Sequence, residues 1–244
     1  MRSTLISSLL LAAVASAGVV PAELQRRQGG VITSCSEPGT IALTFDDGPY
    51  QYEPQLLDTL AAAGAKATFF VTGTLYGCIY GQQATLKAAY DAGHQIAAHT
   101  WTHANLANLD AGGITNEMSQ LENALANILG IKPNYMRPPN GATGGSVVGT
   151  VGGMGYKIVT WDVDSGDWNN VPASTSQQTI QNAGAGPHII LMHETIQSTV
   201  NELAPWVIQW ATDNGLKMVT VAECMGDADG AYSPANGGDG STTC

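Results

Sequence analysis

Two adjacent carboxylates, Asp46 and Asp47, follow the apolar run 41–45 and precede Gly48-Pro49. The run reads as a buried strand, which the Gly-Pro pair ends by turning the chain. Neighbouring carboxylates repel unless a cation or a proton separates their roles. One acid holding a metal while the other moves a proton is chemistry this pair could do. A turn rich in Asp is the plainer reading, and the residue types suit it as well. What weighs against that reading is the recurrence of similar groups downstream. His99-Thr100-Trp101-Thr102-His103 has His-x-x-x-His spacing. On a turn of helix, positions i and i+4 share a face, so two imidazoles can bite one ion. Two imidazoles and one carboxylate form a facial site for a divalent metal, with positions left open for water and substrate.

Three further groups stand out. Arg137 is followed by Pro138-Pro139-Asn140-Gly141, a permanent cation on a stretch stiffened by two prolines, suited to clamping a carboxylate. The stretch from Trp161 to Trp168 mixes Asp162, Asp164 and Asp167 with two indoles. Trp161 is expected in the core, whereas an indole at a cleft suits a sugar ring or a small acyl group. His193 follows the apolar run 189–192 and has no partner at helical spacing, so it reads as an acid or base rather than a ligand. His94 and His188 precede their strands and are expected at the opposite end, in structural or surface roles.

These groups need elements to bring them together. Apolar periodicity and glycine stops predict helices over 54–63, 82–92, 114–129, 145–154, 176–183 and 200–214. Strands are predicted over 41–45, 67–71, 95–98, 134–136, 157–161, 188–192 and 217–221. Strand–helix alternation demands a parallel sheet with helical crossovers. About seven strands at near-even spacing favour a barrel over an open sheet. In such a barrel all C-terminal strand ends share one face, and five reactive clusters fall just after predicted strands.

The first 17 residues read as a signal peptide: Arg2, then the apolar run 5–14, then Ala15-Ser16-Ala17 as a cleavage site. That run is too short to span a bilayer. Arg26-Arg27 offers a dibasic step, so 18–27 reads as a propeptide. Residues 28–244 are expected to form one domain with a loose Gly-rich tail. A net charge of −11 with only 9 Lys and Arg argues against nucleic acid and against anionic membranes. The chain is expected to be a secreted monomer, free or associated with a cell wall. Four cysteines behind an export signal imply disulfides. Cys35 precedes the first strand and Cys224 follows the last, so their pairing would staple the two ends. Cys78 and Cys244 remain, either as a second bridge pinning the tail or with Cys78 as a buried free thiol. The chain contains no N-x-S/T acceptor for N-glycosylation.

Taken together the set resembles the polysaccharide deacetylase family (carbohydrate esterase family 4, the NodB-homology domains). The stretches T-F-D-D-G-P at 44–49, H-T-x-x-H at 99–103, R-P-P-x-G at 137–141, D-x-G-D-W at 164–168 and I-I-L-M-H at 189–193 follow its five motifs in order. The match covers about 40–222, and the short single-domain form is most similar to secreted fungal chitin deacetylases; the fold this implies is a distorted (β/α) barrel, in keeping with the strand count. The resemblance implies that Asp47, His99 and His103 hold a divalent metal, most often Zn2+, with Co2+ as a second candidate. It implies Asp46 as general base oriented by Arg137, and His193 as general acid tuned by Asp167. Trp168 and Leu191 would line the pocket for the acetyl methyl, and the Asn140 N–H would help hold the oxyanion. The implied activity is removal of N-acetyl groups from N-acetylglucosamine units of chitin or its oligomers, with release of acetate. Acetylxylan esterase and peptidoglycan deacetylase activity on the same scaffold are the alternatives. A non-catalytic wall protein that binds carbohydrate would be expected to have lost a base or ligand, and none is missing. Two departures from the family pattern are Asn140, where Tyr is common, and Glu194, where Asp is common.

Overall fold

The computed structural model describes residues 30–244; the expected signal peptide and the dibasic step lie outside them. Nine strands form one sheet in which every pairing is parallel. They are β1 (Val31–Ile32), β2 (Thr40–Asp46), β3 (Thr68–Val71), β4 (Gln95–Ala98), β6 (Tyr135–Met136), β7 (Lys157–Val159), β8 (Val163–Asp164), β9 (Ile189–His193) and β10 (Lys217–Val219). The spatial order is β1-β7-β6-β4-β3-β2-β9-β8, with β10 on β2. The count exceeds the expected seven because β1 and β8, two residues each, are too short to give a period-two signal. The parallel, distorted barrel architecture is as expected. No ladder joins β1 to β8 among the described residues, so the ring is interrupted there. A small antiparallel pair, β5 (Ile131–Pro133) with β11 (Tyr232–Pro234), lies outside it.

Helices cover the outer face: α1 (Glu53–Ala62), α2 (Gln83–Asp91), α3 (Ala111–Leu129), α4 (Val147–Gly153), α5 (Ala173–Ala183), α6 (Ala204–Asp213) and the short α7 (Val221–Cys224). Each crossover joins two parallel strands, which cannot be connected by a tight hairpin. The longest helix, α3, begins at Asp110, whose side chain accepts from the Gly113 N–H, and ends at Gly130 in the left-handed conformation. Its apolar stripe, Ile114, Met118, Leu121, Leu125 and Ile128, is buried.

The strands read as continuous apolar runs because both faces are covered. Alternation still divides them. Ile41, Leu43, Phe45, Phe69, Val71, Ile96, Ile190 and Met192 face the helices in one large core. Ala42, Phe70, Ala97, Tyr135 and Ile189 face the barrel interior with Cys35 and Cys224 in a second, smaller core. Counting onward by two from the interior residues reaches Asp46, His99, Arg137 and His193. The same parity that fills the barrel therefore points these four groups into its C-terminal mouth.

Cys35 is joined to Cys224 and Cys78 to Cys244. The tail is further held by Asn127, which donates to Asp239 and accepts from the Gly240 N–H.

Candidate active site

Asp46 and His193 are register partners on neighbouring strands, so base and acid candidates start side by side at the barrel mouth. Behind Asp46 stands Arg137, the largest fully buried side chain. Its Nη1 donates to Asp46 Oδ1 at 2.7 Å and to Thr44 Oγ1 at 2.8 Å, and its Nη2 donates to the Thr160 carbonyl at 2.9 Å. The guanidinium lies 4.1 Å from the Phe70 ring centre and 5.5 Å from that of Trp161. A buried cation needs a charge partner and hydrogen-bond acceptors, and here it has both. This fixes Asp46 in place as an ion pair.

Asp47, His99 and His103 place one ligand-type atom each within 4.8 Å of the others. His103 Nε2 lies 3.3 Å from Asp47 Oδ1, and His99 Nε2 lies 3.6 Å from the same oxygen. His99 Nδ1 is 2.7 Å from the Arg137 carbonyl, so it carries the proton and Nε2 keeps its lone pair for the cluster. Burial lowers the pKa of His99, against the pull of Asp46 and Asp47, and burial likewise lowers that of His103. Both imidazoles are thus held neutral, the ligating form. Burial raises the pKa of Asp47, an effect that His99 and His193 ease and Asp46 and Asp167 reinforce. Its Oδ1 is buried without a hydrogen-bond partner. A carboxylate oxygen left bare between two neutral imidazoles fits a divalent cation, and one carboxylate with two imidazoles is a donor set that zinc accepts.

The backbone that brings these ligands together differs from the expected turn of helix. His99 directly follows β4, and 100–103 is an irregular loop in which Thr100 has φ 71° and His103 φ 61°. A left-handed residue directly after His99 cannot continue a right-handed helix. The imidazoles meet because the loop folds back, with ring centres 5.0 Å apart. Asp47 is also left-handed, at φ 78°. Such conformations are costly away from glycine, and they cluster where a site dictates the backbone. The loop is held by Glu117 of α3, which accepts from the Thr102 N–H and the Thr102 hydroxyl, both at 2.8 Å.

On the other wall, His193 Nδ1 is 2.8 Å from Asp167 Oδ1. The second Asp167 oxygen accepts from the His193 N–H and from the Thr199 hydroxyl, both at 2.7 Å. Burial pulls the His193 pKa down, but the Asp167 hydrogen bond and the charges of Asp167, Asp46 and Asp47 outweigh it and raise it to about 9. The ring is therefore an imidazolium near neutral pH, with Nε2–H free to donate.

A cavity of about 340 Å³ collects these groups with Asn140, Trp161, Asp164, Trp168 and Leu191. Trp161, expected in the core, is partly buried against the smaller core and also lines this cavity. Trp168 is 56 % exposed, and its indole N–H donates to Asp164. Asn140 sits at φ 59°, on the short turn after Pro138-Pro139. An adjoining cleft of about 470 Å³ shares Asp47, Trp168 and His193 and adds Asp167 and Tyr76. His94 is buried at the start of β4, where its Nδ1 accepts from the Ala67 N–H, and His188 pairs with Asp162; neither lines these cavities. Thr44, Thr160, Thr199 and Glu117 escaped the sequence reading, because a hydroxyl or helix carboxylate carries no local signal of whom it will hold.

The site and fold define a polysaccharide deacetylase: residues 33–159 match that family, and the chain belongs to it. A chitin deacetylase of Pestalotiopsis sp is 41 % identical over 93 % of this chain and 79 % of the relative. The chitin deacetylase of Colletotrichum lindemuthianum is 35 % identical over 93 % of this chain and 96 % of the relative. The solved structure of the Colletotrichum enzyme superposes with a TM-score of 0.80, over 84 % of this chain and 96 % of that one, at 36 % identity.

Proposed function

We propose that this chain is a secreted, metal-dependent hydrolase that removes N-acetyl groups from N-acetylglucosamine units of chitin or chitooligosaccharides. One observation carries the reading. An ion-paired carboxylate, Asp46 with Arg137, and an imidazolium, His193 with Asp167, line one cavity that also contains a carboxylate–imidazole–imidazole cluster. Amide hydrolysis needs a base for water, charge stabilisation for the oxyanion and a proton for a poor leaving amine.

Asp47, His99 and His103 would hold the metal, assigned as Zn2+, which when bound supplies Lewis acidity toward the acetyl carbonyl and an attacking water. Asp46 takes the water's proton as the oxygen adds to the carbonyl carbon. Arg137 pairs with that carboxylate and keeps it aimed. The Asn140 N–H is assigned to the developing oxyanion. His193 then gives its proton to the amine nitrogen as the C–N bond breaks, leaving acetate and a free amine. Asp167 holds the imidazole in register throughout. Trp168 and Leu191 bound the space for the acetyl methyl. Two disulfides suit an oxidising compartment, and no helix among the described residues is long and apolar enough to cross a membrane.

The test is a mass spectrum of N-acetylglucosamine oligomers after incubation with zinc-loaded protein, with and without chelator, beside O-acetylated xylan and peptidoglycan fragments. Chelator-sensitive loss of acetyl masses from the chitin oligomers is expected. Loss confined to xylan or to peptidoglycan would move the assignment to that substrate, and loss from none would end the enzymatic reading.

A further inference from the structure

Behind the catalytic wall lies a pair of acids that the reaction does not use. Glu53, in the first turn of α1, and Glu194, directly after β9, are both 0 % exposed. None of their four carboxyl oxygens receives a hydrogen bond from a backbone or side-chain N–H or hydroxyl among the described residues. The described Lys and Arg that form ion pairs do so elsewhere, with Glu122, Asp46 and Asp227. The charged groups that bear most on Glu194 are Glu53 from α1 and, from the end of β2, Asp47 and Asp46, all of them acids, while His193 precedes it in the chain. Two ionised carboxylates cannot share a buried site without a cation or a proton between them.

Their location gives the pair a role. Glu194 Oε1 occupies the space over Gly48, where a Cβ would lie 1.3 Å from it, so only glycine fits between Asp47 and Pro49. Glu194 therefore presses on the turn next to Asp47 while following His193 in the chain. Glu53 closes the contact from α1, whose N-terminal cap residue, Tyr52, makes no side-chain hydrogen bond. We propose that Glu53 and Glu194 form a carboxylic acid–carboxylate pair that shares one proton and fastens the Asp47-Gly48-Pro49 turn to the strand end bearing His193. The proton converts a repulsion into a short, charge-assisted hydrogen bond, and the remaining negative charge sits at the start of α1, where the helix dipole favours it. Burial raises Glu194 well above the ordinary carboxyl value, with Glu53, Asp47 and Asp46 adding to it. Burial also raises Glu53, to about 7, with the neighbouring Glu194 carboxyl opposing. These two are positioning residues: they touch neither substrate nor the reacting atoms.

The inference rests on Asp47 and His193 being the working groups, and its test needs no acetylated substrate, so the two readings fail separately. The full chain, zinc-loaded and metal-free, is melted from about pH 5 to about pH 9 as wild type, Glu53→Gln and Glu53→Ala, with zinc affinity measured in parallel. A folded-state carboxyl pKa raised above the unfolded value stabilises below that unfolded value, and the stabilisation is lost as pH rises through the folded one. Wild type should therefore lose melting temperature relative to Glu53→Gln as pH rises to about 7, as Glu53 gives up its own proton and leaves the pair the one that Glu194 holds, whereas the amide of the variant does not titrate. Glu53→Ala should bind zinc about tenfold more weakly, and Glu53→Gln should restore the affinity. A wild-type to Glu53→Gln difference that is constant with pH overturns the shared proton. Equal zinc affinity in the Ala and Gln variants overturns the positioning role. Should Glu53→Gln not fold, Glu194→Gln makes the same comparison from the other side. The infrared carbonyl stretch of a protonated carboxyl in wild type at neutral pH is expected, and its absence overturns the proposal.

Discussion

The two acids at 46 and 47 differ in kind once their partners are counted. Asp46 faces a guanidinium that is itself fully buried, whereas Asp47 presents a bare oxygen to two neutral imidazoles. Asp46→Asn should therefore abolish turnover and leave zinc content intact, since the amide keeps the shape but takes no proton. Turnover near the wild-type rate with stoichiometric zinc would remove Asp46 as base. His193 gives a prediction with a sign. Its pKa rises from 6.5 to about 9 on folding, so the proton it must donate is present at neutral pH and lost as pH rises through about 9. Its contribution to stability follows the same course, complete below 6.5 and gone above about 9. Asp167→Asn should move the alkaline limb of the rate profile toward neutrality, and an unmoved limb would show that Asp167 does not set it. Asp46, Asp47 and His193 stand out in the sequence because they come at once after a run of strand character, whereas Asp167 lies further on, in the loop beyond its run. Their supporting hydroxyls, Thr44 and Thr199, do not: they act across 93 and 32 residues of chain, and nothing local to either names its partner.

At the scale of elements, parity explains why the site was legible. A strand buried on both faces offers no polar alternation to read, yet the residue after its end must continue the pleat into the barrel or out of it. Helices read from apolar periodicity also fell close to their observed bounds, as with 114–129 against Ala111–Leu129. The histidine spacing misled, because His-x-x-x-His is compatible with both a helical turn and a folded-back loop. The deciding contact comes from Glu117, itself only 8 % exposed, on a helix face that is otherwise apolar. A buried carboxylate there has a use: it accepts two hydrogen bonds from Thr102 and holds His103 at the cluster. Glu117→Ala should weaken zinc binding about tenfold, the size of an outer-shell loss. Helix content by circular dichroism should be unchanged, since Ala is the better helix former. Zinc affinity equal to wild type would mean that the loop holds itself.

Over the whole molecule, chemistry and closure occupy opposite ends of one barrel. Cys35 lies just before β2, its N–H donates to the Pro187 carbonyl just before β9, and Cys224 follows β10. The bridge thus joins the two chain ends at the floor, while every site residue sits at the mouth. The pairing was legible from position alone, because a barrel whose first and last strands are neighbours brings their flanks together, and β10 does pair with β2. The interruption between β1 and β8 was not legible: it depends on which two-residue strands find partners, and a pattern so short has no period. The bridge closes a separation of 189 residues, for which chain entropy alone gives an upper stabilisation of about 5 kcal/mol. Removing it as Cys35→Ser with Cys224→Ser should lower the urea midpoint strongly. Below that midpoint the folded variant should keep wild-type zinc affinity and kcat, since the interior core between floor and mouth, Ala42, Phe70, Ala97 and Tyr135, remains packed. A loss of zinc affinity equal to the loss of stability would instead show that floor and mouth form one cooperative unit, in which the bridge holds the ligands as well as the fold.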